Sequence, residues 1–320
     1  MLRKSPRPGF VKLLSKMNID QRYLAEDDVG FMITPRINAA SRMDSPMRAF
    51  ELLATDDPTE AGILADHLTK INDERKSIVT GIMKDVHKHF EIRKTEESMR
   101  EVIVVGNPEW RVGVLGLVAG KICDEYACPV FVWGKDENDA IKGSCRSNGS
   151  ASVVDLMTDA SEYFIGFGGH EQAGGFTIHS EKVHFLEEAL SNSFQKVKKV
   201  VAENEVNYDV KINLKDVNMK TWREIEKMAP FGLGNPKPTF LFEGVKIEKI
   251  KKFGKNGSGE HLEITFRDDK SEVKAISFFS GLESFKVPLT EGLPVNLLAT
   301  FDLSRFRGRE ELRLRIVDIL

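Results

Sequence analysis

Ser144 and Arg146 stand two residues apart in the string GSCRS at 143–147. On a strand both side chains leave the same face. A hydroxyl beside a guanidinium fork then makes a phosphate grip, because arginine offers a planar set of donors. A plain surface strand edge would show the same residues. Residues 161–175 read SEYFIGFGGHEQAGG, with His170 preceded by Gly166, Gly168 and Gly169 and followed by Gly174 and Gly175. Glycine serves where the backbone needs φ > 0 or a close approach. A loop of this composition can therefore deliver His170 to a phosphate or a base. The plainer alternative is a tight turn whose histidine satisfies local hydrogen bonds. Arg36 and Arg42 flank Asn38 in a proline-started segment, as cations for a polyanion or as surface partners of carboxylates.

Two stretches near the C-terminus interleave aromatics with cations: Phe253-Gly254-Lys255 and Arg305-Phe306-Arg307. Single-strand binders use this mixture, with rings stacking on bases and cations following the backbone. A solvated hairpin has similar residues. The string GKNGSG at 254–259 lacks the order of a P-loop and the helix that must follow one. Trp110, Gly113 and Gly116 suggest a helix start open to an anion, or a helix packed tightly on a strand, the reading favoured for Gly116. His87 and His89 at i, i+2 do not share a helix face, so metal binding there is not expected.

The 320 residues suggest two domains. With 41% hydrophobic and 30% charged residues, the chain can fill cores and is too polar for a membrane protein. The basic start MLRKSPRPGF is followed by no apolar leader. Three cysteines form no CxxC pair and no even disulfide set, so a reduced cytoplasmic setting and small core roles are expected. A net charge of −3 excludes a uniformly basic coat. Cations are local instead: residues 245–255 hold five lysines and 305–315 five arginines, so any polyanion site is a patch.

The elements that must carry these residues follow from periodicity. The first forty-odd residues read as irregular, punctuated by prolines. From 45 the pattern is helical, with Met47, Phe50, Leu52 and Leu53 on one face. After an Asp or Thr cap and Pro58, a second helix runs to about Phe90. Its apolar stripe contains Ile63, Leu64, Leu68, Ile71, Ile78, Ile82, Met83 and Val86, giving a rod on the order of 50 Å. Strands at 101–106, 129–133, 140–144 and 175–178 alternate with helices at 112–126, 152–163 and 181–203, an α/β pattern. Beyond 204 a strand at 208–212, a helix at 222–228 and a loop at 229–238 lead to about five strands. These strands, 240–245, 261–267, 273–280, 295–301 and 311–317, predict a small OB-like β-barrel.

Several segments together resemble the RecJ-type exonucleases of the DHH phosphoesterase superfamily, over nearly the whole chain. GFMITPRINAASR at 30–42 resembles the family's PR-N-A-A-G-R pattern, with Ser41 in place of glycine. ELLATDD at 51–57 leads into a connecting helix with Asn72 and Arg75. WRVGVLGLVA at 110–119, GSCRS at 143–147 and FGGH at 167–170 follow in family order. APFGLGNP at 229–236 and RFRGR at 305–309 resemble a loop and hairpin of the family's OB domain. The resemblance implies α/β plus β architecture: a segment at 1–44, connecting helices at 45–98, a DHH-associated domain at 99–204 and an OB domain at 205–320.

It also implies roles. Ser144, Arg146 and Ser147 would hold the 5′-phosphate or first backbone phosphates. Arg36, Asn38 and Arg42 would line the strand's channel, and Gly168, Gly169 and His170 would reach the terminal nucleotide. Phe253, Lys255, Arg305, Phe306 and Arg307 would contact the strand on the OB domain. The partner implied is single-stranded DNA, with RNA left open, and a separate DHH domain or a single-strand-binding protein as further candidates. The cofactor implied is Mn2+ or Mg2+, held by an Asp-rich N-terminal domain. No Asp-His-His string occurs; Asp66-His67-Leu68 is the nearest, inside the connecting helix. Residues 3–14 resemble a segment that follows the metal domain, so the expectation is a chain without metal ligands. Two functions stay open: the strand-binding part of a 5′-to-3′ exonuclease of DNA repair and recombination, or a non-catalytic binding or regulatory relative. An enzyme acting on short oligonucleotides or cyclic dinucleotides is disfavoured by the barrel.

Overall fold

A computed structural model describes residues 2–93, 101–199, 207–254, 261–268, 271–278, 280–305 and 310–320. The chain divides into two compact units, Met1–Ala202 and Glu203–Leu320.

The first unit begins with helices α1 (Pro8–Lys16) and α2 (Glu26–Asp28), a π-helical turn Val29–Ile33, α3 (Thr34–Met43) and α4 (Met47–Ala54). Then comes the 36-residue α5 (Pro58–Arg93), on the order of 50 Å long. The Asp57 carboxylate accepts from the Thr59 N–H at 2.8 Å, so Asp57 caps α5 while Pro58 stands in its first turn. Ala61, Leu64, Leu68 and Ile71, and then Val79, Ile82, Val86 and Phe90, recur at three- or four-residue steps, and all are buried.

A five-stranded sheet follows, built from β1 (Ile103–Gly106), β2 (Val130–Lys135), β3 (Ile141–Arg146), β4 (Phe164–His170) and β5 (Ala173–Ile178), in the order β1-β2-β3-β5-β4. α6 (Leu115–Tyr126) crosses between the parallel pair β1 and β2, and the other neighbours are antiparallel. Side-chain alternation sorts the strands between two cores. Ile103, Val105, Val130 and Val132 join α6 and the N-terminal helices. Val104, Phe131, Cys145, Phe176 and Ile178 join α7 (Val153–Asp159) and α8 (Leu186–Val197).

The second unit holds β6 (Val210–Lys211), α9 (Met219–Glu226), β7 (Phe240–Phe253), β8 (His261–Arg267), β9 (Glu272–Ser277), β10 (Pro294–Ser304) and β11 (Glu311–Ile319). β7, β8, β9, β11 and β10 pair in that order and β10 closes back on β7, a five-stranded barrel with β11 parallel to β9. Phe242, Ile247, Leu262, Ile264, Phe266, Ala275, Leu297 and Leu314 fill it. Closure removes the open edges that an isolated sheet would present.

Three sequence expectations change. The opening residues are helical, because Pro8 and Pro35 occupy first-turn positions where a missing N–H costs nothing. FGGH belongs to strand β4, not to a loop, because residues 164–170 pair antiparallel with β5 across the hairpin turn at Glu171 and Gln172. On α4 the buried residues are Ala49 and Leu52, while Met47, Phe50 and Leu53 are exposed; Ile63 on α5 is exposed as well. No helix among the described residues is long and apolar enough to cross a membrane.

Candidate nucleic-acid interface

The register of three strands assembles the site. Ser144 pairs with Gly175 and Gly175 with Gly168; Arg146 pairs with Ala173 and Ala173 with His170. Directly paired residues project from the same face. Ser144 and Arg146 therefore stand on one side of a shallow groove and His170 on the other, about 10 Å apart across two strand spacings. The floor is Gly168, Gly175 and Ala173. A Cβ at Gly168 would meet nothing within 4 Å, and one at Gly175 only the Gly143 carbonyl oxygen at 3.6 Å. The floor is open because it carries nothing larger than the Ala173 methyl. Residues 165–170 of the edge strand β4 are exposed.

Each wall is fixed. Gly143 lies under the Phe176 ring, whose atoms would be 2.1 Å from any Cβ there, and Cys145 points into the same core. Burial pushes the Cys145 thiol up to about 12. With those two inward, Ser144 and Arg146 must point outward toward α6. There Gly116, in the first turn of α6, leaves them room: its Cβ would be 3.1 Å from Arg146 Nη2 and 3.5 Å from Ser144 Oγ. The sequence favours helix-on-strand packing at Gly116, and the strand residues it meets are Ser144 and Arg146. Gly113, left open by sequence, is a packing glycine too, with the Arg42 carbonyl oxygen 2.2 Å from where its Cβ would be. Arg146 Nη1 donates to its neighbour's carbonyl, Cys145 O, at 2.7 Å, which steadies the guanidinium.

His170 is held from behind. The hairpin turn after it carries Glu171 and Gln172, whose carbonyls accept from Val153 N at 2.8 Å and Ser147 N at 3.0 Å. Glu171 also pairs with Lys199. Gly169 takes φ +152° and its Cβ would lie 2.4 Å from the Ala173 carbonyl oxygen, so only glycine fits.

The remaining candidates separate. Ser147 is buried and donates from its hydroxyl to Ala151 O at 2.6 Å, which makes it part of the supporting loop. Helix α3 splits its three: Asn38 and Arg42 are four residues apart and share a face, whereas Arg36 is 8% exposed and donates to Met32 O. Burial pulls the Arg36 guanidinium down, against the pull of Asp73. Arg42 donates to Gly113 O at 3.3 Å. Arg75 of α5 is lowered by burial and by Arg42. On the barrel, Phe253 ends β7, and Arg305 pairs with Glu310 and lies 5.9 Å from the Trp222 ring. Lys255, Phe306 and Arg307 lie outside the described residues. Sequence reasoning did not nominate Ala173 and Gly175; the glycine pair at 174–175 was visible, but its place under the groove depends on the β4–β5 register.

Among the described residues no three His, Cys, Asp or Glu side chains converge to hold a metal ion. The described residues therefore offer a Mn2+ or Mg2+ ion no such ligand set.

Residues 98–203 match the family model described as the DHHA1 domain, and residues 208–318 the one described as the RecJ OB domain. The single-stranded-DNA-specific exonuclease RecJ of Bacillus subtilis is 29% identical over 99% of this chain and 40% of its own length. The protein of that name from Salmonella typhimurium is 27% identical over 98% of this chain and 54% of its own. The chain thus spans about half the length of the curated relatives it matches. A crystal structure of RecJ with Mg2+ from Thermus thermophilus superposes with a TM-score of 0.77 at 25% identity, covering 99% of this chain and 47% of that one. A second, with Mn2+, gives 0.78 over 45% of its chain. The chain belongs to the RecJ family and carries that family's DHHA1 and OB domains, in that order.

Proposed function

We propose that this chain is the strand-holding part of a RecJ-like 5′-to-3′ single-stranded-DNA exonuclease acting in repair and recombination. The observation that supports the reading is the pair of cross-strand rows that set Ser144 and Arg146 on the same face as His170, over a floor of Gly168, Gly175 and the small Ala173. An extended backbone phosphate fits such a floor, and Ser144 with Arg146 would hold it by charge-assisted hydrogen bonds. His170, exposed at the far wall, can donate to the same phosphate or to the next. Hydrolysis would come from a metal-bearing phosphoesterase domain acting on the strand held here, with the metals activating water and stabilising developing charge.

Binding and cleavage are to be read from the same samples, using the purified chain, 5′-phosphorylated single-stranded DNA and manganese. Strand binding without cleavage is expected. Cleavage abolished by His170→Ala would overturn the separation of grip from chemistry. No binding to any single strand would overturn the whole reading.

A further inference from the structure

The buried apolar stripe of α5 breaks between Ile71 and Val79, and the break is polar. Asn72 and Arg75, three residues apart, share one face of the helix there. Asn72 is fully buried, and neither its Oδ1 nor its Nδ2 has a hydrogen-bond partner among the described residues. Arg75 is half-buried, its Nε is unpartnered, and it makes no hydrogen bond or ion pair among the described residues. Helix α3 packs against α5 and brings Arg36, which is buried. Its Nη1 donates to Met32 O at 2.7 Å, while its Nε is unpartnered. Asp73 pulls on both guanidiniums, but its carboxylate is engaged by Lys76 at 3.0 Å. Arg42 adds its positive charge beside Arg75. Two helices thus hold an excess of positive charge and a carboxamide with both of its polar atoms unused. Buried polar groups are ordinarily paired, since an unmade bond leaves the group's full desolvation cost in place.

We infer that Asn72, Arg75 and Arg36 form a site for one small, free oxyanion, inorganic phosphate. The class of ligand follows from what is unpaired. The guanidiniums call for an anion with several acceptor oxygens. Asn72 calls for a group that accepts from its Nδ2 and also donates to its Oδ1. Hydrogen phosphate does both, because at neutral pH it keeps one O–H; sulfate only accepts. Depth excludes a polymer, since a backbone phosphate carries a strand on each side and cannot reach a side chain with no exposed surface. The site is separate from the Ser144 and Arg146 groove, and the inference is independent of the strand-binding reading. Bound phosphate would tie α3 to the middle of α5, where the apolar stripe makes no contact.

The test is thermal melting of the whole chain in phosphate-free buffer, then with inorganic phosphate or sulfate at equal ionic strength. Phosphate should raise the melting temperature saturably, by about 5 °C at about a hundred-fold excess over its dissociation constant. Sulfate should raise it clearly less, and titration calorimetry should give one phosphate per chain. Asn72→Leu replaces the orphaned carboxamide with an apolar group of similar size. It should melt no lower than wild type without phosphate and lose the phosphate shift. Arg75→Met should lose the shift as well, and carries the test alone if Asn72→Leu does not fold. A saturating 5′-hydroxyl oligonucleotide should leave the wild-type shift intact. No shift in wild type, equal shifts with phosphate and sulfate, or a full shift in either folded variant overturns the site. Loss of the shift on adding the oligonucleotide would put the phosphate in the strand's path and overturn it equally.

Discussion

Arg146 of β3 and His170 of β4 lie in one cross-strand row, with only Ala173 of β5 between them. The two residues are 24 positions apart in sequence and come from motifs that look independent. Pairing through β5 makes them opposite walls of a single groove; in the next row Ser144 stands beside Arg146, and Gly175 and Gly168 leave the floor open.

Replacing Arg146 with Ala should weaken single-strand binding about ten-fold or more, since hydrogen bonds to a charged group contribute about 1.5–3 kcal/mol. The preference for a 5′-phosphorylated end should fall with it. Titrations of 5′-phosphate and 5′-hydroxyl oligonucleotides against both proteins check this; equal affinities for wild type and variant would remove Arg146 from the site.

Gly168→Val separates groove from fold. A Cβ at 168 would meet no neighbour within 4 Å, and β-branched residues suit a strand. The melting temperature should stay within a few degrees of wild type while oligonucleotide binding drops. A variant that binds normally would show that the strand does not lie on this floor.

Gly169→Ala should behave in the opposite way. Its φ of +152° and the carbonyl 2.4 Å from the added Cβ put the cost in the fold, about 1–3 kcal/mol for a strained backbone. Gly113→Ala, pressed against the Arg42 carbonyl at 2.2 Å, should lose a similar amount, about 1–3 kcal/mol for overpacking. Urea unfolding of both variants beside Gly168→Val measures the contrast, and a Gly169→Ala as stable as wild type would contradict the geometry.

Burial raises the Cys145 and Cys128 thiols from 9.0 to about 12. Unfolded thiols lose their protons first, so the folded state binds more protons between those values. Stability from these two groups is therefore complete below pH 9 and declines as pH rises toward about 12. In the native chain both thiols should resist iodoacetamide at pH 8 and react once urea unfolds the protein. Rapid native labelling at Cys145 would contradict its place in the core.

Patterns with short range were legible in the residues themselves. The 3.6-residue stripe and the Asp57-Pro58 start specified α5, and alternation located most strands of both domains. The order of the motifs along the chain indicated the family. The N-terminal prolines misled because first-turn proline and loop proline look alike in a string. FGGH misled because its glycines resemble a turn, whereas pairing with β5 makes them an edge strand. The α3 residues Arg36, Asn38 and Arg42 looked equivalent until helix geometry sent Arg36 inward and left Asn38 exposed.

The sequence by itself determined which residues could grip a phosphate, since hydroxyl, guanidinium and glycine chemistry is local and two-residue spacing fixes a shared strand face. Only the tertiary structure decided which of them meet. Strand order and register set that, and they come from burying Phe131, Cys145 and Phe176 on one face of the sheet and Val130 and Val132 on the other. A shift of one residue between β3 and β5 would turn Arg146 away from His170, because side chains alternate with a period of two.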